Sequence, residues 1–202
     1  MGGVFAHWPN RITAMRFVGA LVLFFVLALW GTGCTETEPG AMTMLCFFLF
    51  VIIALTDYLD GYLARRDNLV SAFGRIADPF VDKVLVLGTM IFLAVMPWSQ
   101  QWFPAWIVVV VLAREFLVTG IRGYVESQGE SFAADGFGKI KMVVQCFAIG
   151  FCFGRVAFPW ESIGIELEWL SWGTHILVWA TLLTSVGSGA TYVLKARAHF
   201  AQ

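Results

Sequence analysis

Six apolar runs, at about Phe17–Trp30, Met42–Leu63, Phe80–Pro97, Phe103–Tyr124, Phe137–Phe158 and Trp169–Leu194, set the terms on which this chain can fold. A helix of roughly 20 apolar residues crosses the hydrocarbon core of a bilayer, and about six such helices with short connections use up the whole length. A water-soluble fold is excluded by the surplus of apolar side chain: 59% of residues are hydrophobic and 13% charged, against roughly 45–50% and 25% in soluble domains. The same composition excludes a secreted disulfide scaffold, a disordered chain and a soluble nucleic-acid binder. The expectation is an all-α integral membrane protein with six transmembrane helices, a single domain over residues 1–202. Several runs continue past the lipid-spanning length and end in charges, so those helices are expected to protrude on one side.

The charges orient the chain. With the N-terminus in the cytoplasm, 12 of the 13 basic residues fall at cytoplasmic ends and loops, and Arg155 alone lies outside. That asymmetry is the positive-inside pattern and puts both termini in the cytoplasm. The opposite connections carry Glu36, Glu38, Glu161, Glu166 and Glu168, and Trp98, Trp102, Trp160, Trp169 and Trp172 are expected to form an aromatic belt there. The first apolar run leads into a loop of Gly, Thr and Glu, so no cleaved signal peptide is expected. Cys34, Cys46, Cys146 and Cys152 form no C-x-x-C pair and are read as small hydrophobes, since three of them lie within apolar runs. His7, His175 and His199 have no carboxylate in a motif beside them and are read as packing or interface residues. No internal repeat is present, which gives an inverted-repeat transporter no support.

The most informative stretch is TDYLDGYLARRDNLVSAFGRIADPFVDK, from Thr56 to Lys83. Asp57 and Asp60 are three apart and share a helix face, on which Gly61 follows; Asp78 and Asp82 are four apart and again share a face. If these helix ends lie side by side, four carboxylates converge, with no basic partner sufficient to neutralise them. Clustered anions repel by several kcal/mol at intermediate dielectric, and divalent metal is the natural counter-ion. All-oxygen ligands suit Mg²⁺ or Mn²⁺, and two such ions would form a clamp for a phosphoryl or pyrophosphoryl group. Asp78 by itself also reads as a helix N-cap with Pro79 at the first helical position. Gly61, Ala64 and Gly74 permit either close helix packing or close approach of a ligand, and spacing alone does not choose between these.

The spacing Asp57-x2-Asp60-Gly61-x2-Ala64-Arg65-x8-Gly74-x3-Asp78-x3-Asp82 resembles, at every defined position, the signature of the CDP-alcohol phosphotransferases. The resemblance implies a six-helix membrane enzyme, usually a homodimer, that transfers a phosphatidyl group from a CDP-linked lipid to an alcohol with release of CMP. It implies that Asp57, Asp60 and Asp78 bind the metals and that Asp82 is a metal ligand or the base that deprotonates the acceptor hydroxyl. Asp57, Asp60, Gly61, Ala64, Arg65, Gly74 and Asp78 would hold the cytidine diphosphate.

Acceptor identity must come from other segments. PNRITAMR supplies Asn10, Thr13 and Arg16 on one face of an entering helix; the fourth run carries Arg114, Thr119 and Arg122; the fifth begins with Lys139 and Lys141. Arg16, Arg114, Arg122, Lys139 and Lys141 together are expected to bind a phosphate-bearing acceptor, with Asn10, Thr13 and Thr119 lining its pocket. Read singly, these cations also satisfy the positive-inside rule, but Arg114, deep in its run beside Glu115, needs a partner or a polar cavity. The three segments are similar to the phosphatidylglycerophosphate synthase branch, although Met142 replaces the Thr usual after the second Lys. That similarity implies CDP-diacylglycerol as donor, glycerol 3-phosphate as acceptor, and a bacterial inner membrane. The competing readings are another acceptor, namely phosphatidylglycerol, inositol phosphate or serine, and, from a different class, a cation-coupled transporter. Transporter relays place acids near the midplane, whereas these four sit at one edge among arginines, which favours the enzyme.

Overall fold

The computed structural model describes residues 8–30, 40–66, 72–129 and 136–200; the side chains of 30, 58–66, 72, 73, 75, 136, 137, 139 and 198–200 lie outside the description. Among the described residues regular structure is entirely helical: α1 (Trp8–Trp30), α2 (Ala41–Arg66), α3 (Ala72–Val95), α4 (Ala105–Ser127), α5 (Gly136–Ala157) and α6 (Leu167–Phe200), with a short 3₁₀ turn at Trp160–Ile163. Each apolar run is contained largely within one helix, but the helices are longer than the runs. α1 starts at Trp8 and α3 at Ala72, well before Phe17 and Phe80. Hydropathy reports contact with lipid, while the helix continues wherever its backbone bonds remain favourable. One consequence corrects a local reading: Asp78 and Pro79 lie inside α3, so Asp78 is not an N-cap.

α1 packs against α2 and α3, α2 against α5, α5 against α6, α6 against α4, and α4 against α3, closing a ring in the order α1, α2, α5, α6, α4, α3. A further contact between α3 and α5 crosses the middle. α1, α5 and α6 contain stretches long and apolar enough to cross a membrane, and α2 contributes a shorter one, Ala41–Asp57. The core holds Leu23, Phe50, Met90, Phe103, Ile107, Ile149 and Phe153, all fully buried. Outward faces are equally apolar: Phe25, Ile52, Phe147 and Leu183 stay more than half exposed. A surface this apolar on every side is stable only when lipid covers it. α1 and α3 approach closely at Gly88, where a Cβ would meet the Phe24 ring at 2.3 Å.

The tryptophans at the end opposite the aspartates do not act as one belt. Trp169 and Trp172 are exposed as expected, but Trp98 and Trp102 are buried. The Arg155 guanidinium lies 3.9 Å from the centroid of the Trp102 ring, and its Nε donates to Ser171 Oγ at 2.9 Å. The π-face and the hydroxyl replace water for a cation that the packing of α5 on α6 has desolvated.

Candidate active site

Two polar clusters form at the basic end of the bundle. The first is organised by α1, whose early turns place Asn10, Thr13 and Arg16 on one stripe, all buried. Arg16 reaches two neighbouring helices: Nη1 lies 2.7 Å from Asp57 Oδ1 on α2, and Nη2 donates to Asp82 Oδ1 on α3. Thr13 Oγ1 donates to Asp78 Oδ1 at 2.6 Å. α1 is therefore the strut that gathers carboxylates from α2 and α3. Arg16 supplies a partial counter-charge for two of the aspartates, Asp57 and Asp82, and leaves the cluster net anionic. The reading of Arg16 as a member of the phosphate-binding group changes with it, since both of its Nη atoms address carboxylates. Burial demands such pairing, as a desolvated guanidinium without counter-charge is strongly unfavourable. Gly74 is buried near the start of α3. The side chains of Asp60, Ala64, Arg65 and Lys139, and the surroundings of Gly61, lie outside the description.

The second cluster is built on one stripe of α4. Glu115, Thr119 and Arg122 follow at spacings of four and three and so share a face. Glu115 accepts from Arg114 Nη1 at 2.6 Å and from Lys141 Nζ on α5. Arg114 Nη2 donates to Ser188 Oγ on α6 at 2.8 Å. Thr119 Oγ1 donates to the Glu115 carbonyl at 2.7 Å and accepts from Lys83 Nζ on α3 at 2.6 Å. Arg122 Nη2 donates to Tyr192 Oη at 3.0 Å, and the Tyr192 ring lies 5.7 Å from the Arg114 Cζ and 5.8 Å from the Arg122 Cζ. Arg114 and Lys141 are thus buried and already neutralised in part by Glu115, while Arg122 is only half-buried. Thr119 is exposed and meets Lys83.

Sequence reasoning passed over Lys83, Ser188 and Tyr192. Lys83 directly follows Asp82 and carried that hint, but Ser188 and Tyr192 meet residues about seventy positions away through packing of α4 on α6, which no local pattern signals. Removing Glu115 leaves two buried cations facing each other. Glu115→Ala is therefore expected to destabilise the fold by about 3–5 kcal/mol, and Ser188→Ala by only about 1 kcal/mol. Thermal unfolding of the detergent-solubilised chain measures both, and equal melting temperatures for wild type and Glu115→Ala would show that the triad contributes nothing.

The clusters have opposite sign. Asp57, Asp78 and Asp82 outweigh Arg16 on one side, and Lys83, Arg114, Arg122 and Lys141 outweigh Glu115 on the other. Asp82 and Lys83, consecutive on α3, mark the border between them. An all-oxygen anionic pole beside a cationic one suits a substrate pair in which one reactant comes with hard cations and the other carries its own negative charge. A family model described as CDP-alcohol phosphatidyltransferase matches residues 6–186, nearly the whole bundle. The chain belongs to the CDP-alcohol phosphatidyltransferase family. Similar proteins include the CDP-diacylglycerol–glycerol-3-phosphate 3-phosphatidyltransferase of Bacillus subtilis, 33% identical over 93% of this chain and 93% of that protein. Proteins of the same name from Rickettsia bellii, 31% identical over 95% and 96%, and Pectobacterium atrosepticum, 30% over 81% and 85%, are also similar. In this CDP-alcohol phosphatidyltransferase, the long gap between the two aspartate pairs runs from α2 to α3. The family spacing thereby puts Asp57 on α2 and Asp82 on α3, both within reach of Arg16 on α1. Among the described residues no three His, Cys, Asp or Glu side chains are close enough to share one ion.

Proposed function

We propose that this chain transfers the phosphatidyl group of CDP-diacylglycerol to glycerol 3-phosphate, giving phosphatidylglycerophosphate and CMP. The observation that carries the reading is the border of opposite charge at Asp82 and Lys83: pyrophosphate with its cations belongs to the anionic pole, and a phosphate-bearing alcohol to the cationic one. The names of the similar proteins agree with it. In this reading all six helices cross a membrane, the site opens at its cytoplasmic face, both termini are cytoplasmic, the membrane is the bacterial inner membrane, and the enzyme works as a homodimer. Both acyl chains of the donor stay in the bilayer throughout, which is why the reaction needs a membrane enzyme.

Asp57, Asp78 and Asp82, with Asp60 from the same motif, are an oxygen-only donor set and fit hard divalent cations such as Mg²⁺ or Mn²⁺. Bound there, two such ions would neutralise the pyrophosphate oxygens and stabilise the departing CMP. The residues of the chain do the rest. Arg16 holds Asp82 aimed; Asp82 takes the proton of the acceptor hydroxyl; that oxygen attacks the phosphorus bonded to diacylglycerol, and the bond from this phosphorus to the bridging oxygen breaks, so that CMP leaves with the electron pair. Arg65, Gly61, Ala64 and Gly74 hold the nucleotide. Arg122 binds the acceptor phosphate directly, while Arg114 and Lys141 supply positive field from beneath it through their bridge to Glu115.

The test is purified protein with CDP-diacylglycerol, Mg²⁺ and a panel of glycerol 3-phosphate, glycerol, inositol phosphate, serine and phosphatidylglycerol, scored for CMP release. Efficient turnover of any of the others in place of glycerol 3-phosphate would move the protein to another branch of the family, and no CMP release with any acceptor would sink the enzyme reading. A charge-assisted contact to a phosphate is worth about 1.5–3 kcal/mol. Arg122→Ala should therefore raise the glycerol 3-phosphate KM about tenfold or more and leave the CDP-diacylglycerol KM nearly unchanged. Arg122→Lys should rescue only in part, since a point charge cannot replace a planar fork.

A further inference from the structure

The cations of the positive pole are of two kinds. Arg114 and Lys141 are buried, and each is ion-paired to Glu115. Lys83 and Arg122 have no carboxylate partner among the described residues; Lys83 is held by the Thr119 hydroxyl at 2.6 Å and Arg122 by the Tyr192 hydroxyl at 3.0 Å. Thr119 sends its own proton to the Glu115 carbonyl, so its oxygen is left to accept from Lys83. One of the three ammonium protons is thus committed, and the others are available to a ligand. Lys83 is half-buried against an exposed Thr119, so the ammonium stands at an opening and not in the core.

Position then argues for purpose. Lys83 follows Asp82 on α3, so the ammonium and the carboxylate leave the same turn of a helix at about 100° to each other. Arg122 lies one turn beyond Thr119 on the facing stripe of α4. A ligand group between Lys83 and Arg122 would therefore touch two cations from two helices that have no carboxylate partner among the described residues, with the carboxylate of the anionic pole on the adjoining face. Resting on the reading of glycerol 3-phosphate as acceptor, we infer that Lys83 is a specificity-determining residue: with Arg122 it binds the acceptor's phosphate and fixes how far that phosphate lies from Asp82. A compact ammonium suits this role, because its remaining donors can swing to a phosphate oxygen without releasing Thr119. Short phosphorylated alcohols, whose hydroxyl lies a few bonds from the phosphate, fit the arrangement. Neutral alcohols gain nothing from it.

The experiment uses the full chain in detergent with CDP-diacylglycerol, comparing glycerol 3-phosphate with glycerol for wild type, Lys83→Met, Lys83→Arg and Thr119→Val. Lys83→Met should raise the glycerol 3-phosphate KM about tenfold or more. The CDP-diacylglycerol KM should stay within about twofold, and the preference for glycerol 3-phosphate over glycerol should shrink by the same factor as the acceptor KM rises. Lys83→Arg should recover part of that preference. Thr119→Val keeps the charge but removes its anchor, and should raise the same KM by roughly threefold; this variant carries the test if Lys83→Met does not fold. An unchanged glycerol 3-phosphate KM in Lys83→Met, or equal losses toward both acceptors, overturns the role of Lys83 while leaving the acceptor reading intact. A wild-type enzyme that uses glycerol as well as glycerol 3-phosphate overturns both.

Discussion

Asp82→Asn is expected to lower kcat by about 10²–10⁴, with the CDP-diacylglycerol KM changed by no more than about threefold. The amide cannot accept the proton of the acceptor hydroxyl, yet it preserves the shape of the side chain and an oxygen for Arg16. Of the described carboxylates, Asp82 is the one placed at the border with the cationic pole, immediately before Lys83, so it is nearest to where an acceptor held by that pole presents its hydroxyl. The pH profile supplies a second readout. A base must be deprotonated to act, so the wild-type rate should fall on the acid side as Asp82 takes up a proton, and that limb should be lost in Asp82→Asn. If the variant fails to bind CDP-diacylglycerol at all, Asp82 is primarily a metal ligand and the proton leaves by another route.

The second large effect concerns metal. EDTA should abolish turnover and Mg²⁺ or Mn²⁺ should restore it, because among the described residues Arg16 is the cation paired with Asp57 and Asp82, in a motif of four aspartates. Two like charges about 5 Å apart repel by about 3 kcal/mol at an effective dielectric of 20. Bringing a pyrophosphate into that site adds further anionic charge, so binding without extra cations is strongly disfavoured. Asp57→Asn and Asp78→Asn should each remove most of the metal-dependent rate, since an amide is a weaker, neutral ligand. Arg16→Ala provides the contrast. It frees two carboxylates and should make the protein need more metal for half-maximal activity if Arg16 mainly orients them, whereas an enzyme fully active in metal-free buffer would sink the mechanism.

The sequence by itself determined the parts of this protein that depend on local or one-dimensional properties. Apolar length sets the number of long helices, because a helix is the way such a run satisfies its own backbone in lipid. The spacing of Asp78 and Asp82 placed them on one helix face, because helical periodicity converts separation along the chain into direction. The family could be read from the same spacing, since its motif lies within one short stretch of sequence. What only the tertiary structure decided is which charges meet. Arg16 looked like one of several basic residues, and the packing of α1 between α2 and α3 makes it the cation shared by Asp57 and Asp82. Arg114 and Lys141 looked like two hands for a phosphate, and the closure of the ring buries both against Glu115. Lys83 and Tyr192 acquire their places only when α3 and α6 close on α4. Trp98 and Trp102 have the composition of an interfacial belt, and the turn joining α3 to α4 folds them inward. The physical reason is the same in each case. Propensity and periodicity act within a helix, but a charge chooses its partner by the desolvation it suffers, and desolvation exists only after the helices have packed.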